Sequence, residues 1–229
     1  MIAGDRDILK QVSEYRFVRP EDLHELTARH IVAIRRRLCA LEESNYVKRV
    51  RANGSSVFYL SGKGASVFGV SFSQNKSPFR VEHDLIITRF HLDIRAKCVF
   101  WEQHQGELKD DLINPDAFFS LQFGELTYSY FLEVEVSRET GYENGESALI
   151  RKMRDYNQYY LERRHEKWNI PNFRVVILMP TQARAKNFRE KLAAVLLFKR
   201  YWIASMDYTD VFGTIFMNPA DEELSAFPE

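Results

Sequence analysis

Three carboxylates stand close together in one stretch of this 229-residue chain. Asp116 follows Asn114-Pro115, and Glu133 and Glu135 lie in Phe131-Leu132-Glu133-Val134-Glu135. Side chains alternate across a strand, so Glu133 and Glu135 point the same way. If the two segments pair as a hairpin, Asp116 comes beside them. Acids gathered in this way repel one another unless a cation or a basic group sits among them. Carboxylate oxygen is also the ligand that hard divalent cations prefer, so the stretch is a candidate site for Mg²⁺ or Mn²⁺. Two plainer origins compete. Pro-Asp is common turn chemistry, and Glu-Val-Glu suits a half-exposed strand with a polar outer face.

The elements that must position these acids can be read from periodicity. Phe118, Leu121 and Phe123 belong to a first strand, and Tyr128, Tyr130, Phe131, Leu132, Val134 and Val136 to a second. Gln122-Phe123-Gly124-Glu125 is the reversal between them. Ser137 to Asn144 reads as a turn-rich loop. Glu146 to Arg163 then reads as a helix with Ala148, Leu149, Met153, Tyr156, Tyr160 and Leu161 inward. Lys152 sits near its start. Tyr156, Tyr159 and Tyr160 recur at helical spacing, which points to packing rather than to a tyrosine nucleophile. Pro171 opens a buried strand, Phe173 to Met179, whose β-branched run suits a sheet centre covered on both sides. Thr181 can cap a helix from Ala183 to Arg200, Val211 to Met217 is a last strand, and the tail after Pro219 is expected to fray. Upstream, Phe79 to Phe100 reads as a long amphipathic helix with Glu82, His83 and Asp84 near its start, and Trp101 to Gln105 as a short strand. Helix, hairpin, helix, strand, helix, strand makes an α/β sandwich whose sheet begins as an antiparallel meander.

The front of the chain, residues 1–70, has a different grammar. Asp5 to Tyr15 is a helix with Ile8, Leu9 and Val12 inward. Pro20, followed by Glu21 and Asp22, starts a second, short helix. Thr27 is the expected cap of a third, from Ala28 to Glu43, with Ile31, Ile34, Leu38 and Leu41 as its apolar stripe. Its other face shows Arg29, Arg35, Arg36 and Arg37. Period two then takes over: Tyr46 to Arg51, Asn53-Gly54, and Ser56 to Leu60 form a hairpin signal, because Asn-Gly supplies positive φ angles. Three helices and a hairpin in this order look like a winged helix-turn-helix, whose third helix enters the major groove of duplex DNA. Arg35 and Arg36, with Thr27, Arg29 and His30 near the helix start, and Lys48, Arg49 and Arg51 on the wing, are the candidate DNA contacts. Such cations neutralise phosphates and release counterions. Ser61-Gly62-Lys63-Gly64 lacks P-loop spacing and ends the wing. Gly69 to Pro78 is the expected linker, and residues 79–229 form the second domain.

Composition fits this division. Apolar residues make up 45% and charged residues 28%, which suits packed domains rather than disorder. Net charge is zero, yet residues 1–70 carry 12 Lys/Arg against 8 Asp/Glu. A basic front and an acidic back suit a nucleic-acid module joined to a metal-binding one. Cys39 and Cys98 lack metal-ligand spacing and are expected to be reduced core residues of a cytoplasmic protein. Nothing approaches a membrane-spanning run, and no signal sequence is visible.

Pro115-Asp116 and Glu133-Val134-Glu135 on this framework resemble the PD-(D/E)XK nuclease superfamily. The resemblance implies a restriction-endonuclease-like α/β sandwich in which Asp116, Glu133, Glu135 and Lys152 are catalytic. Asp116 and Glu133 would hold Mg²⁺ or Mn²⁺, with Glu82, or alternatively Glu102, as an added acid. The sequence departs from the motif at Glu135, where lysine is usual, and Lys152 on the following helix is the candidate substitute. A resemblance covering almost the whole chain is to the replication-relaxation family. It is carried by the winged helix, His83, Pro115-Asp116, Phe131-Leu-Glu-Val-Glu135 and Leu149-Ile-Arg-Lys152-Met-Arg-Asp-Tyr156. It implies a DNA-binding protein of a plasmid, phage or integrating element, acting on duplex DNA as a metal-dependent endonuclease or nickase in replication. A non-catalytic accessory or regulator, with the back domain serving as a homodimer or docking scaffold, is the alternative.

Overall fold

The computed structural model describes residues 3–52, 54–70, 77–103, 110–136, 142–143, 146–170, 172–195, 201–205, 215–217 and 223–225. The chain divides into two units, Met1–Leu92 and Asp93–Glu229. It is a mixed α+β protein, a winged helix followed by an α/β sandwich.

In the first unit, α1 (Ala3–Tyr15), α2 (Pro20–Thr27) and α3 (Ile31–Glu43) precede a hairpin of β1 (Val47–Ala52) and β2 (Ser55–Leu60). Ile8, Leu9, Val12, Leu23, Ile34, Leu38 and Leu41 meet in one buried cluster with Val47, Phe58 and Leu60. The inward positions read from the sequence are thus the ones that pack. Val18 exchanges backbone hydrogen bonds of 3.0 and 2.8 Å with Phe58, an isolated antiparallel bridge at the edge of the wing. α3 starts later than expected. Thr27 ends α2 and donates its hydroxyl to the Leu23 carbonyl, 2.6 Å away. Ala28 turns left-handed at φ 54°, and the cap is His30, whose ring accepts from the Val32 N–H. Asn53 of the expected Asn-Gly turn lies outside the described residues, while Gly54 has φ 77°. α4 (Gly62–Ser66) is capped by Ser61. A Cβ on Gly64 would run into the Tyr46 carbonyl oxygen, so this glycine serves close packing.

α5 (Pro78–Ile94) is shorter than the expected helix and lies mostly in the first unit. Val81 and Leu85 pack with Phe17, Val57 and Tyr59. Val99 and Phe100, read as helical, belong instead to β3 (Cys98–Gln103). Residues 71–76 of the expected linker and 104–105 of the expected strand lie outside the described residues.

The second unit is built on a seven-stranded sheet ordered β11-β10-β9-β8-β5-β4-β3. β4 (Ala117–Phe123) and β5 (Leu126–Val134) form the hairpin, in a register that pairs Phe118 with Phe131 and Phe123 with Leu126. The reversal is tighter than the four residues expected, and Gly124 takes φ 59° there. β3 pairs antiparallel with β4, giving the expected meander. β6 (Tyr142–Glu143) and β7 (Glu146–Ser147) make a separate small ribbon, so α6 (Ala148–Leu161) starts two residues later than expected. Residues 137–141 and 144 of the expected loop, and Pro171, lie outside the described residues. β8 (Phe173–Met179) runs parallel to β5 and to β9 (Tyr201–Ser205), which the sequence reading missed. α7 (Gln182–Val195) follows Thr181, whose hydroxyl accepts from the Arg184 N–H at 3.3 Å. β10 (Ile215–Met217) is the expected last strand, and residues 211–214 lie outside the described residues. β11 (Glu223–Ser225) pairs with it, so part of the tail expected to fray is ordered. Phe131, Phe173, Val175 and Ile177 pack with Leu149, Met153 and Tyr156 of α6 and Phe188 and Leu192 of α7, so both helices cover one face.

Candidate acid centre and DNA-binding face

The strand alternation that buries Phe131 on the helix-covered face also puts Glu133 there. Glu133 is 2% exposed. A carboxylate is costly to bury unless it is paired, and two side chains of α6 meet it. Lys152 Nζ donates to its Oε2, and the Tyr156 hydroxyl donates to its Oε1 at 2.5 Å. Lys152 and Tyr156 are four apart, one turn of helix, so they reach the same strand residue together. Asp116 stands just before β4. Its N–H donates to the Leu132 carbonyl at 3.0 Å, and its Oδ2 accepts from the Val134 N–H at 2.8 Å. The carboxylate thus caps the end of the β5 backbone, beside the start of β4. Glu135 is half-buried, and its N–H donates to the Leu178 carbonyl at 2.9 Å.

These groups feel one another. Burial pushes the Glu133 carboxyl up to about 7; the Lys152 charge opposes the rise and the Asp116 charge adds to it. For Lys152, burial disfavours the ammonium. The attraction of Glu133, Asp116 and Glu135 outweighs that and raises it above the ordinary lysine value. Burial and then the Glu133 charge keep the Tyr156 hydroxyl protonated. The Lys152 side chain is 31% exposed, so the centre touches solvent on its lysine side.

Asp116, Glu133, Glu135 and Lys152, from three separate stretches, therefore form one electrostatic cluster. Tyr156 is the member that sequence reasoning assigned to packing alone. It does pack, against Phe131 and Phe173, but its hydroxyl also serves the acid. Its four-residue spacing from Lys152, and its place at the end of the motif Leu149-Ile-Arg-Lys152-Met-Arg-Asp-Tyr156, are the signals that could have found it. Glu82 is an exposed residue of α5 in the first unit, and Glu102 lies on β3 opposite Phe118. Among the described residues no group of three His, Cys, Asp or Glu side chains is arranged to hold a metal ion. The donors Asp116 and Glu133 suit Mg²⁺ or Mn²⁺ in chemical type, with Lys152 already on one Glu133 oxygen.

In the first unit most of the candidate DNA contacts already have partners. Arg29 donates to the Gly4 carbonyl and to Asp7, both at 2.7 Å. Arg35 pairs with Glu21 at 2.7 Å, both exposed. Arg37 grips the buried Asp5 through two hydrogen bonds of 2.8 and 2.6 Å. On the wing, Arg49 pairs with Glu42 at 3.0 Å, and Arg51 donates to the Gly54 carbonyl at 3.2 Å. Arg36 and Lys48 are exposed. Thr27, bonded back into α2, and His30, capping α3, have local structural roles. Both cysteines are free thiols, but neither is a core residue: Cys39 is exposed on α3, and Cys98 lies half-buried in β3. Among the described residues no helix is long and apolar enough to cross a membrane.

The fold is a winged helix ahead of an α/β unit of meander, helix and parallel strand. The replication-relaxation family model matches residues 9–173. The chain belongs to that family, which ties it to replication. No curated protein matches the chain. Among solved structures, the oxidized form of MarR from E. coli is 19% identical, with a TM-score of 0.28 over 29% of this chain and 49% of its own. Restriction endonuclease FokI bound to DNA is 10% identical, with a TM-score of 0.39 over 89% of this chain and 43% of its own. FokI in a second structure gives 10% identity and a TM-score of 0.35 over 87% and 41%. The chain spans about half or less of the length of each.

Proposed function

We propose that this protein binds duplex DNA through α3 and the wing, and that the acid centre of its second unit nicks DNA during replication of a plasmid, phage or integrating element. Its place of action on this reading is the cytoplasm. The observation that carries it is the convergence of Asp116, Glu133 and Lys152 beside one end of the central hairpin. Asp116 and Glu133 would hold Mg²⁺ or Mn²⁺, which when bound polarises a scissile phosphate and lowers the pKa of a bound water. Lys152, protonated and open to solvent on one side, stabilises charge that develops on the phosphate. Tyr156 orients Glu133 through Oε1, and Glu135 adds negative potential that keeps Lys152 charged.

A second reading has its own observation. Both Glu133 oxygens are engaged by Lys152 and Tyr156, an arrangement that also suits a closed ion pair in a non-catalytic accessory protein or regulator, with the second unit as a dimerisation scaffold. Supercoiled plasmid separates the two. The nickase relaxes it with Mg²⁺ or Mn²⁺, and Asp116→Ala and Glu133→Ala abolish relaxation while retaining the plasmid. Unchanged topology across both metals, with tight salt-sensitive retention, gives the second reading.

A further inference from the structure

Most arginines at and around α3 are already paired. Arg29, Arg35 and Arg37 are each held by an acid of their own unit. Among the described residues Arg36 has no such partner. One turn before it stands Val32, 63% exposed, with Ala33 exposed beside it. Val32 takes no part in the buried cluster under α3, which is supplied by Ile34, Leu38 and Leu41. A β-branched residue is a mediocre helix former, and a solvated first turn is better served by Glu, Gln or Lys. An exposed apolar group next to an unengaged guanidinium suits the floor of the major groove. There thymine presents a C5-methyl group, and guanine presents O6 and N7 to a bidentate arginine.

We propose that α3 reads DNA sequence with Val32 and Arg36, Val32 packing on a thymine methyl and Arg36 donating to guanine O6 and N7. Four residues of helix rise ~6 Å, and successive bases on a strand are ~3.4 Å apart. The thymine and the guanine therefore lie about two base pairs apart. Arg35 and the wing cations Lys48, Arg49 and Arg51 contact phosphates and set the register without reading bases. The proposal rests on the DNA-binding reading and is independent of any nuclease activity.

Duplexes are selected from a random-sequence pool by retention on the full chain at fixed salt, and one retained duplex becomes the probe. The wild type is expected to enrich a thymine and a guanine about two pairs apart. Replacing that thymine by deoxyuridine removes only the methyl group; it should weaken wild-type binding about 4-fold and Val32→Ala binding less than about 1.5-fold. Arg36→Ala should keep the deoxyuridine effect and lose about tenfold or more in preference for guanine. Both side chains are exposed, so the variants fold. Deoxyuridine weakening both proteins equally, or leaving the wild type unaffected, overturns the proposal while duplex binding stands. Recovery of no duplex at all overturns the DNA-binding reading together with it.

Discussion

The two units use the same chemistry, acid against base, to opposite ends. In the winged helix the pairs on the outer side of α3 are exposed. Arg35 and Glu21 retain 60% and 53% of their side-chain exposure. In the α/β unit Glu133 keeps 3%. Water screens the first kind of pair, which contributes little to folding and can be exchanged for a phosphate partner. It cannot screen the second, so there the protein decides which group carries a proton. Arg37 and Asp5 show that burial, not location, makes the difference: within the winged helix this pair is gripped at two points around an acid that is 1% exposed.

The largest effect should come from breaking the buried pairs. Lys152→Ala leaves Glu133 without its cation and is expected to cost about 3 kcal/mol in urea unfolding, the low end for an orphaned buried charge. Arg37→Ala should cost a similar amount in the first unit; if either variant costs less than ~1 kcal/mol, the contrast between the regions collapses.

Glu133 should also govern the pH dependence. Its ordinary value is 4.5 and its folded value about 7. Between these the folded protein holds a proton that the unfolded chain has released, so each rise in pH favours unfolding. Its contribution is full below pH 4.5 and is lost by pH 7, up to about 3 kcal/mol. Lys152 is protonated in both states across this window, so it does not reverse the slope. Glu133→Gln should flatten the curve; an unchanged slope would show that another group titrates.

Tyr156→Phe removes one donor from the same carboxylate and should destabilise by about 1–3 kcal/mol, measured by thermal or urea unfolding. Smallest in stability is Arg35→Ala, within ~0.5 kcal/mol. It should nevertheless weaken duplex retention for all sequences and reduce the salt slope by about 1. A large stability loss there would mean that the exposed pair belongs with the buried kind.

The parts that the sequence displayed well are those in which burial and periodicity agree. The apolar positions of α1, α2 and α3 occur at helical spacing and meet in one cluster. The β4–β5 hairpin and β8 are runs of aromatic and β-branched residues. Boundaries failed where apolar content continues through a change of structure. Val99 and Phe100 prolong the hydrophobic pattern of α5, yet they are extended in β3. β9 follows directly after the expected helix end at Arg200, in a stretch to which the sequence assigns no element, and it needs the neighbouring β8 to define it. Thr27 is a good cap by type, but its hydroxyl bonds back to Leu23 and His30 takes the role. α5 was assigned to the rear domain, yet its apolar side is matched by Phe17, Val57 and Tyr59 at the front.

The sequence by itself determined the two-part architecture, the acid-bearing hairpin, the basic third helix and Lys152 as the lysine to watch. The first three follow from local periodicity or residue type, which act over one or two turns of chain; Lys152 is what the resemblance to the nuclease motif implies. Only the tertiary structure decided that Glu133 is sealed between Lys152 and Tyr156, that Asp116 caps β5, and that most arginines around α3 are held by acids. Burial and pairing depend on what lies across the fold from a residue, and that sets the cost of its charge.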